Sequence, residues 1–257
     1  MKLDVNGETL EYVMEGRGPA ILFIHFIGGY SRSWRKAIEA LKDRYTCIAF
    51  DARGFGFSTY NGRWDAETAA RDLKAGLDAL GIDRAHLAGY SMGGPVALTF
   101  NARYPGVARS LVLIDTFAKN HTHSAARIAE TEKCFRYMSM REYARQYAAT
   151  RLLPSTSLAA YDELVAWMCL ASKQAYLDVL RGILVPDFTE LCAHVKVPTL
   201  VLCGASDRTT PVAFTNDLVR LIAGAQERII SAGHLSSIDD PETFTRTLAE
   251  FFDAQPR

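Results

Sequence analysis

The sequence predicts an α/β fold built on an eight-stranded, mostly parallel sheet with helices on both faces and one helical insertion. Three observations lead there. Short apolar runs ending in Gly, Asp or Ser alternate with segments of helical period, which is the mark of strand–helix–strand units. The chain opens instead with two strand-like runs joined through Asn6-Gly7, a two-residue hairpin signal, so the sheet begins antiparallel. Residues 119–195 then break the alternation with helical period throughout.

The opening hairpin joins strands at 3–5 and 9–15. Six strands follow at 20–25, 46–51, 85–90, 110–115, 199–203 and 227–230, each read as apolar on both faces, as a parallel strand covered by helices must be. Between them, 65–80 carries Ala69, Leu73, Leu77 and Leu80 at three- and four-residue spacing, and Gly81 supplies the stop. Pro95 falls in the first turns of the helix after 91, where a missing N–H costs least. The helices expected at 211–222 and 241–252 each begin on a proline.

The insertion is rich in aromatic and sulfur side chains, among them Phe135, Tyr143, Tyr147, Met168 and Tyr176. Singly these read as the packing core of a few helices. A helical cap also needs a floor, and the one available is the C-terminal edge of the sheet, where α/β sheets bind ligands. The expected division is therefore a core of 1–118 with 196–257, and a cap of 119–195.

Lys plus Arg equals Asp plus Glu at 29 each, so no overall field draws the chain to nucleic acid, anionic lipid or a highly charged substrate. A small molecule is the expected partner. The N-terminal residues are too polar for an export signal, and the longest apolar stretches, 20–24 and 111–114, fall far short of the roughly 20 residues that span a bilayer. Five widely spaced cysteines without a CxxC pair read as reduced, packed thiols of a cytoplasmic protein.

Gly89-Tyr90-Ser91-Met92-Gly93 lies between an apolar strand and a helix. The GxSxG string alone arises by chance in roughly one chain in ten of this length, so its setting carries the argument. A serine on a tight strand-to-helix turn projects into the cleft as a nucleophile, and side chains two residues away on either side would collide across the turn. Ser91 as a simple helix cap is the bland alternative.

A tetrahedral intermediate needs two preorganised donors for its oxyanion. The expected pair is the N–H of Met92, which follows the nucleophile, and that of Ile27 in the loop His25-Phe26-Ile27-Gly28-Gly29. His25 is expected to support that loop. His234, just past the last strand in Ser231-Ala232-Gly233-His234, is placed to reach across the sheet as the base, a role for which histidine is the usual side chain. Of the other histidines, His86 sits in a strand, His194 approaches one, and His121 and His123 open the cap.

Asp207, past the strand at 199–203, is the expected acid, in the chain order Ser, Asp, His. Asp115, at the end of the strand at 110–115, is the alternative acid, and Asp51 reads as a loop organiser.

These segments identify the chain as similar to the α/β-hydrolases along essentially its whole length. Within them it resembles the 3-oxoadipate enol-lactone hydrolases, through His25-Phe26-Ile27-Gly28, Asp51-Ala52-Arg53-Gly54-Phe55-Gly56, Ser91-Met92-Gly93-Gly94 and Gly233-His234-Leu235-Ser236. Phe26 stands where the superfamily's oxyanion loop commonly has glycine. The resemblance implies hydrolysis of an ester or lactone through an acyl-enzyme on Ser91, without metal or organic cofactor.

Substrate contacts are expected from Phe26, Tyr90, Tyr137, Met138, Trp167 and Leu235. The aromatic cap favours an apolar or ring-bearing substrate. Arg136, Arg141, Arg145 and Arg151 are candidates to hold a substrate carboxylate. A cofactor-free perhydrolase, a carbon–carbon bond hydrolase with the same triad, and a non-catalytic ligand receptor are the competing readings.

Overall fold

A computed structural model describes residues 1–120 and 124–255. Eight strands, β1 (Lys2–Val5), β2 (Glu8–Gly16), β3 (Ala20–Ile24), β4 (Thr46–Phe50), β5 (Ala85–Tyr90), β6 (Ala108–Ile114), β7 (Thr199–Gly204) and β8 (Gln226–Ile230), form one sheet in the order β1-β2-β4-β3-β5-β6-β7-β8. β2 runs antiparallel to both β1 and β4, and every pairing from β4 to β8 is parallel. Each strand lies within about two residues of its expected place.

β8 corrects one expectation. It is exposed at every residue except Ile230, because it closes the sheet and pairs only with β7. Strands inside the sheet, such as β3, β4 and β5, are buried throughout.

The α-helices of the described residues are α1 (Arg35–Leu41), α2 (Ala66–Ala79), α3 (Gly93–Arg103), α4 (Ser124–Tyr137), α5 (Met140–Arg151), α6 (Leu158–Met168), α7 (Lys173–Leu184), α8 (Thr189–Cys192), α9 (Val212–Leu221), α10 (Ser236–Asp239) and α11 (Pro241–Asp253), the last two after β8. The Asp65 side chain accepts the Thr68 N–H and so starts α2, while α11 has Pro241 in its first turn. α1, with the 3₁₀ turn Ser31–Trp34 before it, is not among the expected helices; Ala37, Ile38 and Leu41 are its only buried residues, too few for a periodic signal. α1 packs with α11, whereas α2, α3, α8 and α9 pack in succession as a second layer.

α4 to α8 all lie between β6 and β7, with no strand among the described residues there. Ser139 and Glu142 form a reciprocal cap at the start of α5, and Ser157 and Ser172 cap α6 and α7. These helices rest on the sheet's loops at close range. A Cβ on Gly54 would lie 2.2 Å from the Ala175 Cβ, and one on Gly28 would lie 2.8 Å from the Met168 Cγ. No helix among the described residues is long and apolar enough to cross a membrane. The five cysteines are all free, and Cys47, Cys192 and Cys203 are buried.

His86, buried in β5 with its Nδ1 2.8 Å from the Ser110 Oγ, has its pKa lowered by burial, then by Arg109 and Arg84, to about 4. The unfolded chain therefore binds a proton between about pH 6.5 and 4 that the folded chain refuses, so this residue's contribution to stability falls as pH drops through that window. Denaturation midpoints of wild type and His86→Gln should converge near pH 5 and diverge above pH 7, with the wild type carrying the steeper dependence.

Candidate active site

Ser91 joins β5 to α3 with φ 52°, in the left-handed region that non-glycine residues rarely adopt. The surroundings enforce it. A Cβ on Gly89 would lie 2.3 Å from the Gly93 carbonyl oxygen, one on Gly93 2.4 Å from that of Ile24, and one on Gly94 2.1 Å from the Thr116 Oγ1. Thr116 Oγ1 donates to the Ser91 carbonyl at 2.6 Å, and the Ser91 N–H donates to the Ile114 carbonyl at 2.8 Å. The turn is thus clamped between β3 and β6.

His234 and Asp207 come from the loops after β8 and β7, which pack back to back. A Cβ on Gly204 would lie 2.2 Å from the Gly233 carbonyl oxygen, and the Ser206 N–H donates to the Ala232 carbonyl at 2.9 Å. Ser91 Oγ stands 3.1 Å from His234 Nε2, and His234 Nδ1 stands 2.8 Å from Asp207 Oδ2. With Nδ1–H donating to the carboxylate, Nε2 is left free to accept from the serine hydroxyl.

Asp207 Oδ1 accepts the N–H groups of Thr209 and Thr210 at 2.7 and 2.9 Å, and Oδ2 also accepts from Thr210 Oγ1 at 2.6 Å. Burial works to raise the Asp207 pKa, but the charge of a protonated His234 and the hydrogen bonds from His234 and Thr210 prevail and hold it below its ordinary value. Neither Thr210 nor Thr116 is among the expected site residues.

Asp115, the alternative acid, has no bond to His234. Its Oδ1 accepts the Gly204 N–H at 2.8 Å and its Oδ2 pairs with Ser236 Oγ at 2.5 Å. Complete burial, then the nearby charge of Asp207, pushes Asp115 well above the usual carboxylate range. Asp115, Cys203 and Asp207 bring donor atoms within 4.8 Å of one another. They are poorly suited to a metal: each carboxylate oxygen already takes a hydrogen bond, burial holds Asp115 toward its neutral form, and burial pushes the Cys203 thiol up, away from the thiolate a metal requires.

His25 holds the loop after β3. Its Nδ1–H donates to the Phe26 carbonyl at 2.8 Å and its Nε2 accepts the Ala52 N–H at 3.0 Å, an arrangement that demands the neutral ring, and burial lowers its pKa accordingly. Asp51 organises the next loop, accepting the Ser31 and Phe57 N–H groups at 2.7 and 2.9 Å. Among the described residues the N–H groups of Ile27 and Met92 meet no protein acceptor.

The residues expected at the substrate are placed unevenly. Phe26 is buried edge-on to Tyr90, whose hydroxyl donates to the His234 carbonyl at 3.2 Å, and Leu235 is fully buried beside His234. Trp167 packs near Tyr30 and lines a cleft with Ser33 and Ser237, while Met138 is half-buried with its carbonyl accepting from Lys173 Nζ at 2.6 Å. Tyr137 is not brought to the site: it is 81% exposed at the end of α4, two residues and so about 200° around the helix from Phe135, which faces Tyr143 and Tyr176. Met168, buried against Gly28, lies over the loop that carries Ile27. Of the four arginines expected to hold a carboxylate, Arg151 lines the cleft of about 580 Å³ beside His234, and Arg136, Arg141 and Arg145 are exposed. His121 and His123 lie outside the described residues.

The sequence profile of the alpha/beta hydrolase fold family matches residues 19–138. The 3-oxoadipate enol-lactonase 1 of Acinetobacter baylyi is 27% identical over 250 residues, covering 95% of this chain and 93% of its own. The pyrrolizixenacetamide deacetylase of Xenorhabdus hominickii is 26% identical over 263 residues, 97% of each chain. A thermophilic esterase from Thermogutta terrifontis superposes with a TM-score of 0.89 at 27% identity, covering 98% of this chain and 96% of that one. Sequence and structure together give this chain the α/β-hydrolase fold, with motifs similar to those of the 3-oxoadipate enol-lactonases.

Proposed function

We propose that the chain is a serine hydrolase that cleaves a small carboxylic ester or lactone through an acyl-enzyme on Ser91. The observation that carries this is the unbroken hydrogen-bonded path from Ser91 Oγ through His234 to Asp207, at 3.1 and 2.8 Å. His234 Nε2 takes the serine proton as Oγ attacks the carbonyl carbon, then returns it to the leaving oxygen. The same nitrogen activates water for attack on the acyl-enzyme. Asp207 fixes the tautomer and offsets the charge of the imidazolium.

The developing oxyanion is received by the N–H groups of Ile27 and Met92, each worth about 2.7 to 4 kcal/mol in the rate. Residues 119–195 act as a cap, and Met168, buried against Gly28, sets an apolar side chain over the loop that carries Ile27. The kinds of relative found, a lactonase, a deacetylase and an esterase, support acyl transfer to water as the shared chemistry.

Acid-quenched mixing with p-nitrophenyl acetate, read by intact and peptide mass spectrometry, should show one acetyl group, located on Ser91. Turnover without an adduct on any peptide containing Ser91, under conditions where release of p-nitrophenol shows a burst, would reject the acyl-enzyme. A panel of esters and lactones with hydrogen peroxide present or absent then separates hydrolysis from perhydrolysis.

A further inference from the structure

Asp239 takes no part in the proton path, yet its carboxylate joins two segments that flank His234. Oδ2 accepts the Gly233 N–H at 2.8 Å, on the residue next to the imidazole. Oδ1 accepts the Leu153 N–H at 3.0 Å and the Thr156 hydroxyl, both in the strap 152–157 between α5 and α6. The strap is folded around this oxygen, since the Thr156 N–H closes a turn onto the Leu153 carbonyl at 3.0 Å. The Asp239 N–H donates to the Leu235 carbonyl at 3.0 Å, which ties the carboxylate's own main chain to the His234 loop. No cation pairs with Asp239 among the described residues, so these donors alone hold its charge.

The fit is close. A Cβ on Gly233 would lie 3.0 Å from both the Arg151 carbonyl oxygen and Asp239 Oδ2, so a side chain there would press strap and carboxylate apart by a few tenths of an ångström. The cleft beside His234 has Arg151, Leu152, Leu153 and Pro154 on one side and Gly233 and His234 on the other. A rigid carboxylate bonded to both sides fixes the distance between them. Lifting the strap strips two donors from a charged oxygen, and the remaining strain falls on Gly233.

We propose that Asp239 is a positioning residue that clamps the cap's strap to the His234 loop, so that one carboxylate sets both the width of the cleft and the placement of the imidazole. The cleft is then the selector of acyl length. This rests on the reading of the chain as an esterase or lactonase.

The test uses Thr156→Val, which removes only a strap-side bond, and Asp239→Ala, which removes both sides, on p-nitrophenyl acetate and octanoate. Thr156→Val should change the octanoate-to-acetate ratio of kcat/KM by about five-fold or more while kcat on acetate stays within about two-fold. Asp239→Ala should move the ratio similarly and also lower kcat on acetate by about ten-fold or more, because Gly233 loses its acceptor. A ratio within two-fold of wild type in Thr156→Val overturns the proposal, as does an equal fall in kcat for both variants.

Amide hydrogen exchange reads the clamp without turnover. In Thr156→Val the Leu153 and Gly233 amides should speed up together, and acceleration of Leu153 alone overturns the coupling even where Asp239→Ala does not fold. Wild-type protein inert to every ester, with the paired exchange response intact, would instead refute the esterase reading and leave the clamp standing.

Discussion

Ser91→Ala is expected to lower kcat for ester hydrolysis by about a million-fold, leaving the small residual acceleration that an oxyanion hole and substrate binding supply without a nucleophile. In the proposed mechanism the hydroxyl oxygen forms the acyl bond, and among the described residues Ser91 Oγ is the one side-chain hydrogen-bond partner of His234 Nε2. KM should change little, because one hydroxyl contributes little to ground-state binding.

Stability separates this variant from a second one. Holding a non-glycine residue at φ 52° costs on the order of 1 to 3 kcal/mol, a strain that alanine retains and glycine relieves. Ser91→Gly should therefore be as inactive as Ser91→Ala yet melt at a higher temperature. Initial rates with a chromogenic ester and thermal unfolding of all three proteins check both statements; an alanine variant with more than a hundredth of wild-type kcat would refute the assignment.

Asp207→Asn should lower kcat by about ten-thousand-fold, whereas Asp115→Asn should stay within about ten-fold of wild type. The contrast follows from the donors around each acid. Thr209 and Thr210 present two N–H groups to Asp207 Oδ1, so the amide oxygen of asparagine must take that place and its NH₂ must face His234. The imidazole is then forced to accept at Nδ1 and to carry its proton on Nε2, where it can no longer take the proton of Ser91.

Asp115 is already held toward its neutral form by burial and by the charge of Asp207. Asparagine keeps that neutrality, the acceptor for the Gly204 N–H and a partner for Ser236. The rate at the pH optimum decides; equal losses in the two variants would mean that both acids serve the histidine.

The sheet and the loops that carry Ser91, Asp207 and His234 were legible because parallel strands advertise themselves as apolar runs and these three residues follow within a few positions of their ends. What surrounds them was not. Thr116 and Thr210 are ordinary loop threonines whose importance lies in which carbonyl or carboxylate the fold sets beside them. Tyr137 and Phe135 are both aromatic residues of one helix, and the positions of α5 and α7 decide that Phe135 turns inward. Met168 reads as filler in the sequence, yet it covers Gly28 because α6 ends above that glycine.

Since β8 ends the sheet with one flank open, its backbone amides and carbonyls offer a template on which another chain's strand could be laid down. Gln226, Glu227 and Arg228 occupy that rim, and each would have to surrender hydration to enter a growing ladder. The polar residues that make β8 a poor candidate for an interior strand thus oppose the addition of a further strand at this border.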